Sequence, residues 1–203
     1  MRRRPLDAWS PLTVEDAASM MDNSGLRWWL AGGGALDRFV GHPTRRHADL
    51  DLAVLRSDHA AVPGMIGERW QLVAVREDSS PDVVPWEPAT SPADEVTSVW
   101  GADAAGDRWV FEILFLETEG DRWVFRRDPR IGGRVDDLGW TAADGIPALR
   151  PEIHLLYKAK YQRAKDDTDF DSVHPLLSPD ARTWLRWALQ LHRPGHPWLR
   201  RLG

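Results

Sequence analysis

The chain has 203 residues, of which 42% are hydrophobic and 28% are charged, and a formal net charge of −5 at pH 7. This balance is typical of a globular protein with one domain or two small ones, and it excludes a disordered chain. The absence of cysteine excludes a disulfide scaffold, a thiol nucleophile and thiolate metal sites. No apolar run is long enough for a secretory signal or a membrane span, so we expect a cytoplasmic protein without a membrane partner.

The first part of the chain predicts alternating helices and strands. A helix over 14–23 begins after Thr13, which has the side chain of a helix cap. Periodicity and turn residues then predict a strand over 26–31, a helix over 35–40, a strand over 50–55, an interrupted helix over 60–69 and a strand over 71–75. Residues 77–94 are rich in Pro, Ser, Asp and Glu, which predicts an exposed loop.

The rest of the chain changes from strands to helices near residue 145. Turn residues separate three apolar runs, which predicts an antiparallel meander over 96–101, 108–117 and 121–127. Helical patterns follow over 151–163, 167–177 and 180–191. We therefore expect an α/β domain over 1–145 and a helical subdomain over 146–203.

Three consecutive glycines, Gly32 to Gly34, follow a predicted strand and precede a predicted helix. Backbone amides in such a turn can approach a phosphate closely, and the N-terminus of a helix favours negative charge. Neither the dinucleotide-binding fingerprint nor a Walker A loop is present, because Asp37 and the lack of a nearby lysine break both patterns. A phosphate cradle and a simple tight turn are equally compatible with these residues.

Two aspartates, Asp49 and Asp51, are placed at the start of the strand predicted over 50–55. Side chains at positions i and i+2 of a strand point to the same face, so two carboxylates lie close together. Their repulsion is relieved by a cation, and a site with oxygen ligands only suits Mg²⁺. A solvated strand end is the alternative interpretation.

A third carboxylate, Glu112, interrupts the otherwise apolar run from Trp109 to Leu116. A buried carboxylate without a partner costs several kcal/mol or acquires a raised pKa. A metal ion or a role as proton acceptor would account for it, whereas a solvent-facing position on an edge strand would need no such role.

Together these residues resemble the polymerase-β-like nucleotidyltransferase superfamily. Within it, the segments Trp29–Asp37 and Gly41–Asp51 are similar to those of the aminoglycoside 2″-nucleotidylyltransferase group and its relatives. The resemblance implies an α+β fold: a nucleotidyltransferase domain with a mixed, mostly antiparallel sheet flanked by helices, followed by a small helical C-terminal part. Close aminoglycoside-modifying relatives have Asp as the third carboxylate and some other antibiotic adenylyltransferases have Glu, so Glu112 leaves the antibiotic open.

The resemblance also implies a reaction. Asp49, Asp51 and Glu112 would be the catalytic residues and would hold two Mg²⁺ ions, and Glu112 would accept a proton from the acceptor hydroxyl. ATP would be the co-substrate, AMP would pass to a small polar acceptor such as an aminoglycoside antibiotic, and pyrophosphate would leave. Such an enzyme would act in antibiotic resistance.

Six further residues are candidates for binding the nucleotide. The resemblance assigns the β- and γ-phosphates to the backbone of Gly32 and Gly33. The side chains of Arg45, Arg46, Lys158 and Lys165 could reach phosphate oxygens. Surface positions for the two arginines and a solvated helix face for the two lysines are the alternatives.

Two other functions compete with this prediction. One is a toxin-like nucleotidyltransferase that modifies tRNA or protein, although a net charge of −5 argues against a nucleic-acid acceptor. The other is a non-catalytic nucleotide-binding module with a degenerate site. Glu112 discriminates between catalysis and this last function, because a module would not need it beside Asp49 and Asp51.

Overall fold

The computed structural model describes residues 5–66, 69–76, 82–86, 96–161 and 163–203. Within these ranges the helices are α1 (Val14–Asp22), α2 (Gly32–Val40), α3 (Val62–Ile66), α4 (Pro151–Lys158), α5 (Ala164–Val173) and α6 (Pro179–His192). The strands are β1 (Trp28–Leu30), β2 (Asp51–Leu55), β3 (Gln71–Arg76), β4 (Asp82–Pro85), β5 (Val96–Ala102), β6 (Trp109–Glu119), β7 (Arg122–Val124), β8 (Gly132–Arg134), β9 (Gly139–Thr141) and β10 (Pro147–Leu149).

The chain divides into two compact units. The first consists of Met1–Leu30 and His47–Leu116, and the second of Ala31–Arg46 and Glu117–Gly203. Each unit therefore takes up two separate stretches of the sequence. The division into 1–145 and 146–203 drawn from the sequence stays a prediction.

The first unit is built on a sheet with the strand order β4-β3-β5-β6-β2-β1. Neighbouring strands are antiparallel except for β2 and β6, which run parallel. The apolar side chains of β2 and β6 are buried, among them Leu52, Val54, Phe111 and Ile113. This burial places β2 and β6 in the core and fixes their register, because a slip by one residue would turn every buried side chain to the opposite face.

The second unit combines short antiparallel strand pairs with four helices. The end of β6 pairs with β7, β7 pairs with β8, and β9 pairs with β10. Helix α4 packs against α2, α5 and α6. The side chains of Phe125, Leu155, Phe170, Leu185 and Leu189 are fully buried and form the core of this unit.

The predicted fold class is confirmed: the protein is mixed α+β, with a mostly antiparallel sheet and flanking helices. Helix α6 begins after Ser178, whose hydroxyl accepts a hydrogen bond from the N–H of Ala181, with Pro179 in its first turn as the sequence predicts. In the described part of the chain, no helix has the length and apolar character that crossing a bilayer requires.

Three local predictions are corrected. The 3₁₀ turn over 56–61 and the short helix α3 replace the helix predicted over 60–69, of which residues 67 and 68 lie outside the described ranges. Strand β4 lies inside the loop predicted over 77–94, because Asp82–Pro85 pairs with β3, and the rest of that loop apart from Trp86 is outside the described ranges. The helix predicted over 151–163 ends at Lys158.

Helix α4 ends where a side chain from elsewhere in the unit binds the free carbonyl groups after its last turn. The Arg193 guanidinium donates to the carbonyl oxygens of Ala159 and Lys160, so the last turn is satisfied without further helix. Helix α5 then begins separately at Ala164, with the side chains of Arg163 and Asp166 joined across its first turn.

Candidate active site

Asp51 and Glu112 lie directly opposite each other in the first unit. They are paired residues on the parallel strands β2 and β6, and the N–H of Glu112 donates to the carbonyl of Leu50 at 2.8 Å. Paired residues on adjacent strands project to the same face of a sheet, so both carboxyl groups share one face. The structure therefore brings together two side chains that are far apart in the sequence.

The residue Glu112 is partly exposed, but its carboxyl group is buried enough for desolvation to affect its pKa. Burial raises the pKa of Glu112, and the negative charge of Asp49 raises it further. A hydrogen bond with Asp51 acts in the opposite direction. The charge of Asp49 and the side chain of Asp51 thus both affect the ionisation of Glu112.

Two buried polar side chains of β5 face Glu112. Trp100 is the residue paired with Glu112 on this strand, and Ser98 lies two positions before it on the same face. Both lower the pKa of Glu112, although the Ser98 hydroxyl and the Trp100 indole N–H make no hydrogen bond of ordinary geometry. They are donors directed toward a carboxylate, and they favour its ionised form.

The donor set has the chemistry of a magnesium site. Asp49, Asp51 and Glu112 supply only carboxylate oxygens, which are the ligands that Mg²⁺ prefers. Three neighbouring carboxylates repel one another when they are ionised, and a divalent cation between them would relieve that repulsion. Across the described ranges, no three His, Cys, Asp or Glu side chains stand in an arrangement that would hold a metal ion. The metal role of these residues stays a prediction.

The glycine segment is part of a helix rather than a loop before it. Helix α2 begins at Gly32, where the expectation was residue 35, and Gly32 has φ 64°. This left-handed conformation is one that glycine adopts without steric cost. Ala31 provides no side-chain cap, so the backbone N–H groups of the first turn, at the buried Gly32 and Gly33, receive no acceptor from the cap residue. Their phosphate-binding role stays a prediction.

Arg45 and Lys158, two of the predicted nucleotide-binding cations, converge on one carboxylate of the second unit. Arg45 donates from Nε to Oδ1 of Asp169 at 2.7 Å and from Nη2 to Oδ2 at 2.9 Å. Lys158 Nζ lies 2.8 Å from Oδ2 of the same group. Burial alone would raise the pKa of Asp169, but the hydrogen bond from Arg45 and the charge of Lys158 lower it.

The other two predicted cations lie elsewhere in the second unit. Arg46 is exposed, and Lys165 is half-buried in the first turn of α5. The sequence spacing predicts that Lys158 and Lys165 share one helix face. The break between α4 and α5 shows that they do not, because they lie on two separate helices. A nucleotide-binding role for each stays a prediction.

Sequence reasoning did not single out Asp169. Its side chain is fully buried and holds two cations, which makes it the centre of the polar cluster formed by Arg45, Lys158, Arg163, Asp166 and Asp169. The signal in the sequence was the pair Asp166 and Asp169, three positions apart and thus on one face of a helix. The same spacing is also typical of two exposed aspartates on a helix surface, so the sequence alone does not reveal that they bind buried cations.

His154, which is buried beside this cluster, predicts a loss of stability in acid. Burial lowers the pKa of His154 to about 3, and the charges of Lys158 and Arg45 act in the same direction. The folded protein keeps this ring neutral, whereas the unfolded chain takes up a proton below about pH 6.5. The stability from this residue is therefore present above pH 6.5 and falls by about 1.4 kcal/mol per pH unit as the pH drops toward 3.

The variant His154→Leu tests this expectation, since it removes the titrating group. Urea unfolding between pH 4 and pH 7 should give a shallower loss of stability for His154→Leu than for the unaltered protein. His42→Gln serves as the control, because His42 is exposed. A difference between His154→Leu and the unaltered protein that stays constant with pH would contradict the prediction.

Comparison with known proteins finds similarity to the same class of enzyme. The family model for aminoglycoside-2″-adenylyltransferase matches residues 13–81, a stretch that contains Gly32, Gly33, Asp49 and Asp51 and ends before Glu112. No curated protein matches the sequence.

Two solved structures share the fold. One is the lincosamide antibiotic adenylyltransferase LnuA with lincomycin bound, with 15% identity and a TM-score of 0.54 over 83% of this chain and 100% of that chain. The other is the antibiotic-resistance factor ANT(2″)-Ia in solution, with 13% identity and a TM-score of 0.52 over 88% of this chain and 93% of that chain. The predicted resemblance is confirmed: over residues 13–81 the chain matches the family model of the aminoglycoside-2″-adenylyltransferases, and it has the fold of the antibiotic adenylyltransferases.

Proposed function

We propose that this protein transfers AMP from ATP to a hydroxyl group of a small polar antibiotic, with an aminoglycoside as the first candidate. The observation that carries the proposal is the pairing of Asp51 with Glu112 on parallel strands, with Asp49 close enough to affect the pKa of Glu112. Nucleotidyl transfer needs such a group of carboxylates, because they can hold cations against the charge of a triphosphate.

The reaction would be a displacement at the α-phosphorus of ATP. The acceptor oxygen forms a new bond to that phosphorus, the bond from it to the β-phosphate bridging oxygen breaks, and pyrophosphate leaves with the bond's electrons. Glu112 accepts the proton of the acceptor hydroxyl. A carboxylate whose pKa is raised by burial is a stronger base than an exposed one, which suits Glu112 to this task.

Asp49, Asp51 and Glu112 would hold Mg²⁺, and two ions are expected when the nucleotide is bound. The cations would neutralise charge on the phosphates and lower the cost of bringing the acceptor oxygen close to them. The backbone amides of Gly32 and Gly33 would contact the β- and γ-phosphates. Of the two candidate lysines, we prefer Lys158 as a ligand of the triphosphate, because its ammonium group is held by the buried carboxylate of Asp169.

The environment of Glu112 also bears on the competing functions. In a non-catalytic module Glu112 would only cost stability, because its pKa is raised by burial and its ionisation beside Asp51 is unfavourable. For a tRNA acceptor the net charge of −5 is unfavourable. A small polar acceptor in the cytoplasm is therefore our preferred substrate.

The direct test is a product analysis with ATP, Mg²⁺ and a panel of antibiotics. The panel should contain aminoglycosides and lincosamides, since the structural neighbour LnuA was solved with lincomycin. We expect one compound to gain the mass of AMP, with pyrophosphate released in equal amount and both signals lost when a chelator removes the metal. Transfer to tRNA or to a protein without transfer to any antibiotic would overturn the proposed acceptor, and ATP binding without transfer to any of them would favour the module.

A further inference from the structure

The second unit contains a cavity that the proposed reaction does not use. This α4–α6 cavity measures about 510 Å³ and is lined by the first turns of α4 and α6 and by the β7–β8 hairpin. Every residue that lines it lies between positions 123 and 184, whereas Asp49, Asp51 and Glu112 belong to the first unit. Binding sites for small organic ligands measure roughly 300–1,000 Å³, so the cavity has a suitable size for one.

Two tryptophans form apolar walls of the α4–α6 cavity. Trp123 on β7 is buried and Trp184 on α6 is half-buried, and their ring centroids lie 6.2 Å apart. The ring of Trp184 also lies 6.4 Å from that of Trp187, which is 42% exposed, so aromatic surface continues from the cavity toward solvent. The face of an indole ring attracts cations and packs well against methylene groups. These walls favour an organic ligand over a bare metal ion.

Acidic side chains outnumber basic ones around the α4–α6 cavity. Among the described residues that line it, Asp137, Glu152 and Asp180 are acidic and Arg150 is basic. The N-termini of α4 and α6 oppose this excess, because each carries about half a positive charge. A net charge of about −1 remains when both helix dipoles are included. The cavity therefore favours a cationic ligand.

Glu152 is the acidic residue that gains most from a bound cation. Its residue is 7% exposed, and it forms an ion pair with Arg150 in which Nη1 lies 3.8 Å from Oε1, too far for a hydrogen bond. Burial raises the pKa of Glu152, and its own backbone N–H and the charge of Arg150 oppose this rise only in part. A carboxylate has about four acceptor positions, so Glu152 can still accept hydrogen bonds from an ammonium group.

We propose that the α4–α6 cavity binds a linear polyamine, with one ammonium group on the carboxylate of Glu152 and the methylene chain against Trp184. The acidic residues lie on three separate elements, which suits a ligand whose charges are spaced along a chain. The exposed carboxylates of Asp137 and Asp180 would bind the other ammonium groups through charge-assisted hydrogen bonds. The inference does not depend on the proposed reaction, because none of these residues takes part in it.

The experiment is calorimetric titration of the full chain with spermidine at constant ionic strength. Triethylene glycol is the neutral probe of matched length, and it should not bind. Glu152→Gln should bind spermidine about tenfold more weakly than the unaltered protein, the effect of one lost charge-assisted hydrogen bond. The matched control is Glu119→Gln, which removes the same charge from an exposed residue of the same unit. This control should change the affinity for spermidine less than about twofold, because solvent and salt screen an exposed charge.

A second pair of variants tests the aromatic wall and serves if Glu152→Gln does not fold. Trp184→Leu should weaken spermidine binding about threefold to tenfold, whereas Trp184→Phe keeps an aromatic face and should retain most of the affinity. The inference is overturned if the unaltered protein does not bind spermidine, if triethylene glycol binds equally well, or if a folded Trp184→Leu binds spermidine unchanged. Equal losses in Glu152→Gln and Glu119→Gln, or displacement of spermidine by equimolar Mg²⁺, would show that charge alone governs binding and would also overturn it.

Discussion

Replacing Asp51 by asparagine is expected to lower kcat/KM for adenylyl transfer at least about 1,000-fold, which corresponds to about 4 kcal/mol of lost transition-state stabilisation. The substitution keeps the size of the side chain and removes the charge that would hold a divalent cation. Because Asp51 lies opposite Glu112, the variant also breaks the carboxylate pair. Asp49→Asn should have a comparable effect.

The loss should be catalytic and not a result of unfolding. Asp51→Asn relieves repulsion among three neighbouring carboxylates, so its melting temperature should equal or exceed that of the unaltered protein. The rate of pyrophosphate release at acceptor concentrations below KM measures the loss in kcat/KM, and scanning calorimetry measures the melting temperature. The control is Asp107→Asn, since Asp107 is an exposed turn residue of the same unit. If Asp51→Asn keeps more than about a tenth of the activity, the proposed metal role of this residue is wrong.

The three candidate carboxylates show how much of the site can be predicted from the sequence alone. The spacing of Asp49 and Asp51, and a charged residue within an apolar strand, are local signals, and both predicted strands exist. The pairing of Asp51 with Glu112 is not local. It depends on β2 lying beside β6 and on their register, and these are set by the packing of buried side chains such as Leu52 and Ile113 on the whole sheet.

The glycine segment illustrates an ambiguity of residue type. Glycine suits a loop and also the left-handed first residue of a helix, so Gly32 to Gly34 could belong to either. The helix beginning at Gly32 became evident only from the backbone, where Gly32 has φ 64°. The prediction of an anion site survives this correction, because an uncapped helix start offers N–H groups as a loop does.

The cluster around Asp169 could not be found from periodicity. A helix continuing from Pro151 to Arg163 and beyond would place Lys158 and Lys165 on one face. The chain instead leaves the helix after Lys158, where Arg193 from the C-terminal part caps the free carbonyl groups. A contact more than 30 residues along the chain thus decides which lysine meets Asp169.

Glu112 gives the second large prediction, since one substitution should remove activity and add stability. Glu112→Gln should lower kcat about 10²- to 10⁴-fold, the usual contribution of a general base, because an amide cannot accept the acceptor proton. The same change should stabilise the metal-free protein at pH 7.5 by roughly 1 kcal/mol, since an amide carries no charge to desolvate. For a protein of this size, that gain corresponds to about 2–4 °C in Tm.

The stability gain should depend on pH with a definite sign. Because the folded protein raises the pKa of Glu112, ionising this group costs stability once the pH exceeds the pKa of glutamate in the unfolded chain. Below about pH 4 the carboxyl is protonated in both states, so Glu112→Gln and the unaltered protein should there melt alike. The two melting curves should separate as the pH rises through the raised pKa.

The matched control is Glu119→Gln, because Glu119 lies at the exposed end of the same strand and forms a surface ion pair with Arg122 at 3.7 Å. This variant should change neither activity nor the pH dependence of Tm, since exposed ion pairs contribute about 0–1 kcal/mol. An active Glu112→Gln would remove the proton-accepting role. An inactive Glu112→Gln that melts below the unaltered protein at pH 7.5 would show that Glu112 stabilises the fold. The prediction that this residue costs stability would then be wrong.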